Sequence, residues 1–299
     1  MIETKIFSGV EVASSVYAEL KPRIQKLLKR KITPGLAAIL VGEDPSSKLY
    51  VQNKSKRFQS LGLHSQIFYL PTSTTFDNIV NKISELNLDH NFHGILVQQP
   101  LPKDVDLGEI LESINPKKDV DGFHPENMGL LASGINHFIA CTPKGIIRIF
   151  KHYKIQTSGK NTVIIGRSNI VGRPLSLLLS SKSSFGNSTV TICHSKTKDL
   201  ASITKQADIL IASVGVPNLI KGNMIKENSI IIDVGITRVN DNSKKGYSLI
   251  GDVDIKSVMG IANAVTPVPG GVGPMTIAML VENTIEAAEW YGDSVKEKS

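Results

Sequence analysis

Cysteine is nearly absent from this chain: its 299 residues include only Cys141 and Cys193. They lie far apart, with no Cys-x-x-Cys and no Cys/His grouping at ligand spacing, which argues against a disulfide framework and a structural metal site and points to a reducing compartment. Aromatic residues make up 5% of the chain, too few for the basic stripe with interleaved aromatics that nucleic-acid binding favours. The net charge of +7 comes from scattered Lys and Arg. Its densest run, Lys21 to Lys31, alternates with Ile24, Leu27 and Leu28 at helical spacing and fits the solvated face of a helix. A small polyanionic ligand suits such a charge as well as a nucleic acid does. Long apolar runs are missing too: nothing approaches the ~20 residues that span a bilayer. Glu3, Lys5, Glu11 and Glu19 interrupt the first segment, so it has no signal-peptide core, and the expectation is a cytoplasmic protein without a membrane partner.

The remaining composition, 41% apolar and 20% charged, is that of an ordinary globular protein long enough for two domains. Short apolar runs alternate with helical patterns: 35–41 then 44–61, 65–70 then 76–86, and 93–97 then 107–114. After a loop-rich passage, 115–142, a helix at 143–153 leads into a second series with strands at 161–165, 189–193, 209–214 and 229–234. This rhythm predicts α/β architecture, with a parallel sheet flanked by helices in each of two domains. A boundary falls near residue 140. A last helix, 277–290, follows the second series and is free to return to the first domain. The expected division is 1–139 with 271–299, and 140–270.

Within the second series, strand 161–165 runs into Gly166-Arg167-Ser168-Asn169-Ile170-Val171-Gly172 and then a helix. A glycine turn between strand and helix is where a pyrophosphate docks on backbone N–H groups. The spacing is Gly-x5-Gly instead of Gly-x-Gly-x-x-Gly, so an ordinary βα turn explains it equally well. The next strand ends in Cys193-His194-Ser195-Lys196-Thr197-Lys198, without the acid that NAD-selective folds place there to bind ribose. Hydroxyl and cationic groups, with Arg167, suit a 2′-phosphate, so NADP is expected over NAD. Lys198 is better explained as a solvated loop charge.

Other segments carry candidate chemistry. Asp44-Pro45-Ser46-Ser47 has the form of a helix start, and it places Tyr50 and Lys54 four residues apart on one face. An aromatic ring beside a desolvated amine could hold a flat substrate and lower the lysine pKa toward the range of proton transfer. On spacing alone, a plain amphipathic surface helix is the better account. Strand 93–97 ends in Gln98-Gln99-Pro100-Leu101-Pro102, which puts an amide at the carboxyl edge of a parallel sheet. Asp119 and Asp121 share a Gly-ended turn, and Asp119 reads as Asx-turn structure. Residues 267–276, Pro-Val-Pro-Gly-Gly-Val-Gly-Pro-Met-Thr, hold six Pro or Gly in ten. Alone, that loop is a rigid turn whose glycines permit φ > 0.

Taken together, Tyr-Val-x-x-Lys (50–54), Val-Gln-x-Pro-Leu-Pro (97–102), Lys-Asp-Val-Asp-Gly-Phe-His (118–124), Gly-Arg-Ser-x-Ile-Val-Gly-Arg-Pro (166–174) and the 267–276 loop resemble one family. It is the bifunctional methylenetetrahydrofolate dehydrogenase/methenyltetrahydrofolate cyclohydrolase family. The resemblance implies a folate-binding catalytic domain and a Rossmann-like NADP-binding domain. It implies hydride transfer from 5,10-methylenetetrahydrofolate to NADP, then hydrolysis of the methenyl product to 10-formyltetrahydrofolate, with no metal. Lys54 would be the catalytic lysine, Gln98 its tuning partner, Asp121 the anchor of the pterin edge and Tyr50 the stacking wall. Val97 and Pro269, Gly270, Gly271, Val272, Gly273, Pro274, Met275 and Thr276 would line the folate slot. Gly166, Arg167, Ser168, Ile170, Ser195 and Ile236 would contact the cofactor. A homodimer is a family expectation, and folate polyglutamate tails would use the positive charge. Two positions depart from the family pattern: Gln99 stands where Leu is common, and Ala140 where Pro is common. The alternatives are a two-domain NADP-dependent dehydrogenase of the shikimate or amino-acid type, a dehydrogenase lacking the hydrolytic step, and a dinucleotide-sensing regulator without turnover.

Overall fold

The computed structural model describes residues 2–102, 104–135, 137–241 and 246–296. In chain order its first elements are β1 (Lys5–Ile6), α1 (Gly9–Lys29), β2 (Gly35–Val41), α2 (Pro45–Ser60), β3 (His64–Leu70), α3 (Phe76–Leu88), β4 (Gly94–Gln98), α4 (Leu107–Glu112) and α5 (Pro125–Ala132). There follow α6 (Cys141–His152), β5 (Asn161–Ile165), α7 (Gly172–Ser180), β6 (Thr189–Cys193), α8 (Leu200–Thr204), β7 (Ile209–Ala212), β8 (Ile230–Asp233), β9 (Thr237–Asn240), β10 (Tyr247–Ile250), α9 (Ile255–Val258), β11 (Ala264–Val265) and α10 (Val272–Lys296). Every strand expected from the sequence is present, with ends within two residues of those expected.

The chain forms two compact units, residues 16–141 with 277–299, and residues 1–15 with 142–276. The first fifteen residues therefore go with the second series, not with the first as the sequence suggested. The cause is β1, too short to see in a hydropathy pattern, which pairs in parallel with β11 through Lys5↔Ala264 and Ile6↔Val265.

The unit built on residues 16–141 has a three-stranded parallel sheet ordered β3-β2-β4. All seven residues of β2 are buried, as expected of a central strand covered on both faces. Alternate residues Ala37, Ile39 and Val41 pack with Ile95 and Val97 of β4, with Ile79, Ile83 and Leu86 of α3 and with Ile110 of α4. Helix α1 was expected only over its basic end. It runs on because Val12, Val16, Leu20, Ile24 and Leu27, all buried, recur every three or four residues.

The other unit has a six-stranded sheet ordered β1-β11-β8-β7-β5-β6, parallel throughout. The chain leaves β5 for β6 on one side and returns to β7 on the other, so a topological switch lies at the carboxyl end of β5, where doubly wound folds bind their ligands. An antiparallel hairpin, β9 with β10, stands apart from this sheet.

Candidate active site

In the first unit, α2 begins as its sequence dictates: Asp44 accepts a hydrogen bond from the Ser47 N–H at 2.7 Å, and Pro45 follows it at the first helical position. That start sets the helical phase which turns Lys54 inward. Its side chain is 4% exposed. Its Nζ donates to Oε1 of Gln98 at 3.2 Å and lies 4.6 Å from the centre of the Tyr50 ring. Gln98 sits at the carboxyl end of β4, and its Nε2 donates to the Gln99 carbonyl at 2.7 Å. The amide is thereby fixed with its oxygen toward the lysine. The Gln99 carbonyl also accepts from Ser47 Oγ at 3.3 Å, so the residue that departs from the family pattern ties the loop after β4 back to α2 through its backbone. Gln99–Pro100 is a cis peptide.

Asp121 is placed by its neighbours. Asp119 forms an isolated parallel bridge with Ile95 of β4, and the intervening Val120 packs so closely that a Cβ on Gly94 would lie 2.6 Å from it. The Asp119 carboxylate, 1% exposed, accepts from the N–H groups of Phe123 at 3.2 Å and His124 at 2.8 Å and from Asn127 Nδ2 at 2.8 Å. Its role is structural, as the sequence suggested. His124 is likewise a helix cap, accepting from the Glu126 N–H at 3.0 Å.

The electrostatics bind Lys54, Asp121 and Tyr50 into one site. Burial lowers the Lys54 pKa from the usual lysine range, opposed by Asp121 and Cys141. Burial raises Asp121, with Lys54 acting against it. Burial of the Tyr50 hydroxyl end and the charge of Asp121 push that phenol above its ordinary range, although the side chain is 37% exposed as a whole. An amine with a depressed pKa, a rigid amide oxygen and a ring face form a device for accepting a proton beside a flat molecule.

Two members of this site were not identified from sequence. Cys141 donates its Sγ to the Val120 carbonyl at 3.3 Å and hydrogen-bonds Asp121. Asn283 of α10 donates Nδ2 to the Val120 carbonyl at 2.8 Å and the Ile139 carbonyl at 3.2 Å. Asn283 is fully buried, and the signal available in the sequence was a polar amide within the apolar helical run 277–290. Val97, expected to meet substrate, packs its side chain into the sheet core.

In the second unit, loop 267–276 is shorter than expected because α10 already begins at Val272. Of its three glycines only Gly270 takes a positive φ, at 102°. Gly271 is required by space: a Cβ there would lie 2.5 Å from the Pro267 carbonyl oxygen, and one on Gly9 would lie 1.7 Å from the Gly271 oxygen. Gly273 has open space around it, Pro274 and Thr276 are half-buried, and Pro269 is exposed after a cis peptide. Met275 is buried against Gly145, so its side chain is committed to packing.

The β5 to α7 turn fits a dinucleotide. Gly166 has φ 121°, and a Cβ on it would lie 2.5 Å from the Ser213 carbonyl oxygen; one on Gly172 would lie 2.1 Å from the Gly166 oxygen. Both glycines are needed to fold the turn back over the start of α7, which has no side-chain cap hydrogen bond. Arg167, Ser168 and Ile170 are exposed on this turn, and Ser195 and Lys196 are exposed after β6. Val214, Val216 and Ile236 form exposed apolar positions following β7 and β8. Among the described residues, no group of three or more His, Cys, Asp or Glu could hold a metal ion, and no helix is long and apolar enough to cross a membrane.

Comparison with known proteins agrees with this geometry. The family model for the tetrahydrofolate dehydrogenase/cyclohydrolase catalytic domain matches residues 7–121, and that for the NAD(P)-binding domain of the same family matches residues 140–291. The bifunctional protein FolD of Chloroherpeton thalassium is 50% identical over 291 residues, covering 96% of this chain and 99% of that protein. The crystal structure of the bifunctional FolD methylenetetrahydrofolate dehydrogenase/cyclohydrolase from Campylobacter jejuni superposes with a TM-score of 0.90 at 44% identity, covering 96% of this chain and 99% of that one. The Trypanosoma brucei methylenetetrahydrofolate dehydrogenase-cyclohydrolase, solved with NADP cofactor and inhibitor, gives 0.92 at 34% identity, covering 97% and 99%. With both domain models matched in order and the relatives aligned over almost their full length, the chain belongs to the tetrahydrofolate dehydrogenase/cyclohydrolase family.

Proposed function

We infer that this chain oxidises 5,10-methylenetetrahydrofolate to the 5,10-methenyl form with NADP+ and then hydrolyses that product to 10-formyltetrahydrofolate, a pair of steps in one-carbon metabolism. The observation that carries this is the buried Lys54 amine, held by the Gln98 carbonyl oxygen and lying over the Tyr50 ring. Extensive relatedness to bifunctional enzymes supports both activities over a shikimate-type dehydrogenase, a monofunctional dehydrogenase or a regulator without turnover.

For hydrolysis, the neutral form of Lys54 serves as base. The attacking water forms a bond to the methenyl carbon as one of its protons passes to Nζ; the remaining hydroxyl proton is then transferred to N5 as the carbon–N5 bond breaks, which leaves the carbonyl of the formyl group on N10. Burial favours this neutral form of the amine. Gln98 orients the amine, Tyr50 stacks on the pterin and Asp121 accepts from its polar edge. Hydride transfer asks for positioning rather than acid–base help, since the folate nitrogen lone pair stabilises the cation being formed. When bound, NADP+ supplies the hydride acceptor. Gly166, Arg167, Ser168 and Ile170 of the turn, with Ser195 and Ile236, hold it; Arg167 and Ser195 select the 2′-phosphate. Pro269 to Pro274 and Thr276 are assigned to substrate binding by family resemblance; the packed side chains of Val97 and Met275 leave only their backbones for that role. A catalytic unit of residues 16–141 with 277–299, a cytoplasmic setting, a homodimer and use of polyglutamated folates complete the proposal.

The test is turnover of purified protein with methylenetetrahydrofolate and NADP+, followed by the absorbance of methenyltetrahydrofolate and NADPH. Formation and decay of the methenyl signal is the expected result. Absence of turnover at micromolar enzyme would overturn the assignment.

A further inference from the structure

After β7 and β8, two buried carboxylates are each wrapped by backbone amides. Asp252, 0% exposed, accepts from the N–H groups of Val214 at 2.6 Å, Gly215 at 3.2 Å and Val216 at 2.8 Å. Asp233, 3% exposed, accepts from Gly235, Asp252 and Val253, each at 3.0 Å. Three converging N–H dipoles are the compensation a carboxylate needs once water is removed. The packing is reciprocal. A Cβ on Gly235 would lie 2.2 Å from Oδ1 of Asp252, and one on Gly251 would lie 1.9 Å from Oδ2 of Asp233. Neither glycine takes a positive φ, so it is room for the carboxylates that requires glycine at these positions.

The segment so held has left the sheet. β7 ends at Ala212, two residues before the strand expected from sequence, because the amides of Val214 to Val216 turn to Asp252. Gly215 takes φ 69°, and its carbonyl accepts from Thr237 Oγ1 at 3.3 Å. Just upstream, Ser213 donates to the Ile165 carbonyl through its N–H at 2.9 Å and its Oγ at 3.0 Å, directly against Gly166 of the cofactor turn. Asp252 therefore fixes a loop that abuts that turn and presents Val214 and Val216 at the carboxyl edge of the sheet, while the chain beyond Asp233 presents Ile236.

We propose that Asp252, supported by Asp233, is the positioning residue of the dinucleotide site, holding the rim of Val214, Val216 and Ile236 in the shape that receives the flat nicotinamide half of the cofactor. Asp252 acts through three backbone amides and does not itself touch the ligand. The proposal rests on the NADP-dependent function inferred above.

The experiment compares wild type with Asp252→Asn and Gly235→Ala, measuring NADP+ and NADPH affinity by fluorescence titration and methenyl hydrolysis in the absence of dinucleotide. Asn turns one acceptor oxygen into a donor facing N–H groups, so binding weakens by about tenfold or more. Gly235→Ala pushes the same carboxylate aside and gives the same defect, and the double variant is less than additive. Hydrolysis stays within about twofold, because Lys54 and its partners belong to the other compact unit. On wild type alone, hydrogen exchange should find the amides of Val214 to Val216 protected despite their exposed side chains. Unchanged dinucleotide affinity in Asp252→Asn, parallel loss of hydrolysis, or free-peptide exchange at those three amides would each overturn the proposal. If wild type hydrolyses the methenyl compound but binds no NADP, the cofactor assignment itself fails and the proposal falls with it.

Discussion

His93 provides a measurable link between burial and acid sensitivity. Its side chain is 6% exposed, its Nδ1 accepts from the Gly35 N–H at 3.2 Å, and its Nε2 is buried without a hydrogen-bond partner. Burial, reinforced by Lys118 and His90, lowers its pKa from 6.5 to about 4. Between those values the unfolded chain holds the proton and the folded chain does not. Stability therefore rises with pH across this window, is complete above about 6.5, and is lost as pH falls toward about 4. Integrating between roughly pH 7.5 and roughly pH 5 gives a loss of about 2 kcal/mol from this one group. Equilibrium urea unfolding followed by fluorescence of Trp290, the only tryptophan and a member of the same compact unit, measures it. The comparison is His93→Asn, which keeps an acceptor for Gly35 but does not titrate. On acidification, wild type should lose about 2 kcal/mol more than the variant. Equal losses in the two proteins would refute the account, because they would assign the acid sensitivity to other groups.

Lys54→Gln should reduce methenyl hydrolysis by about a hundredfold or more while leaving NADP affinity unchanged; near-normal hydrolysis would remove the lysine from its role. In wild type the hydrolysis rate should climb with pH through an apparent pKa below the usual lysine value of 10.5, since the neutral amine is the active form and burial favours it; a rate falling over that range would contradict it. Arg167→Ala should raise the KM for NADP+ far more than that for NAD+, and equal effects would argue against a 2′-phosphate contact. Gly9→Ala should destabilise its unit by about 1 to 3 kcal/mol through overpacking, because the new Cβ would lie 1.7 Å from the Gly271 oxygen; an unchanged thermal midpoint would show that the loop gives way freely.

The sheet strands were legible because runs such as Gly35–Val41 and Asn161–Ile165 are apolar, bounded by turns and followed by helical periodicity. The phase relation of Tyr50 to Lys54 was legible for the same reason. What spacing could not supply was burial: nothing local distinguishes an inward Lys54 from a surface one until the Gln98 amide and the Asp119–Asp121 turn are brought against it. Two-residue strands such as β1 and β11 carry no periodicity, and so the affiliation of the first fifteen residues was hidden. Asp252 and Asp233 were invisible as a pair, because their partners are backbone amides and backbone amides have no sequence signature. The glycines that accommodate them, Gly235 and Gly251, resemble ordinary turn residues until the missing Cβ is tested against its surroundings.

The pairing of β1 with β11 has a consequence for synthesis. Residues 5–6 are made long before residues 264–265, with which they must pair before the six-stranded sheet can close, while the other unit waits for α10. At 5 to 20 residues per second, that interval is roughly 10 to 50 s. Neither unit is complete until residues beyond 264 have been made. The nascent chain carries an unpaired strand edge at β8 until β11 emerges, and throughout that interval the edge is open to pairing with another chain.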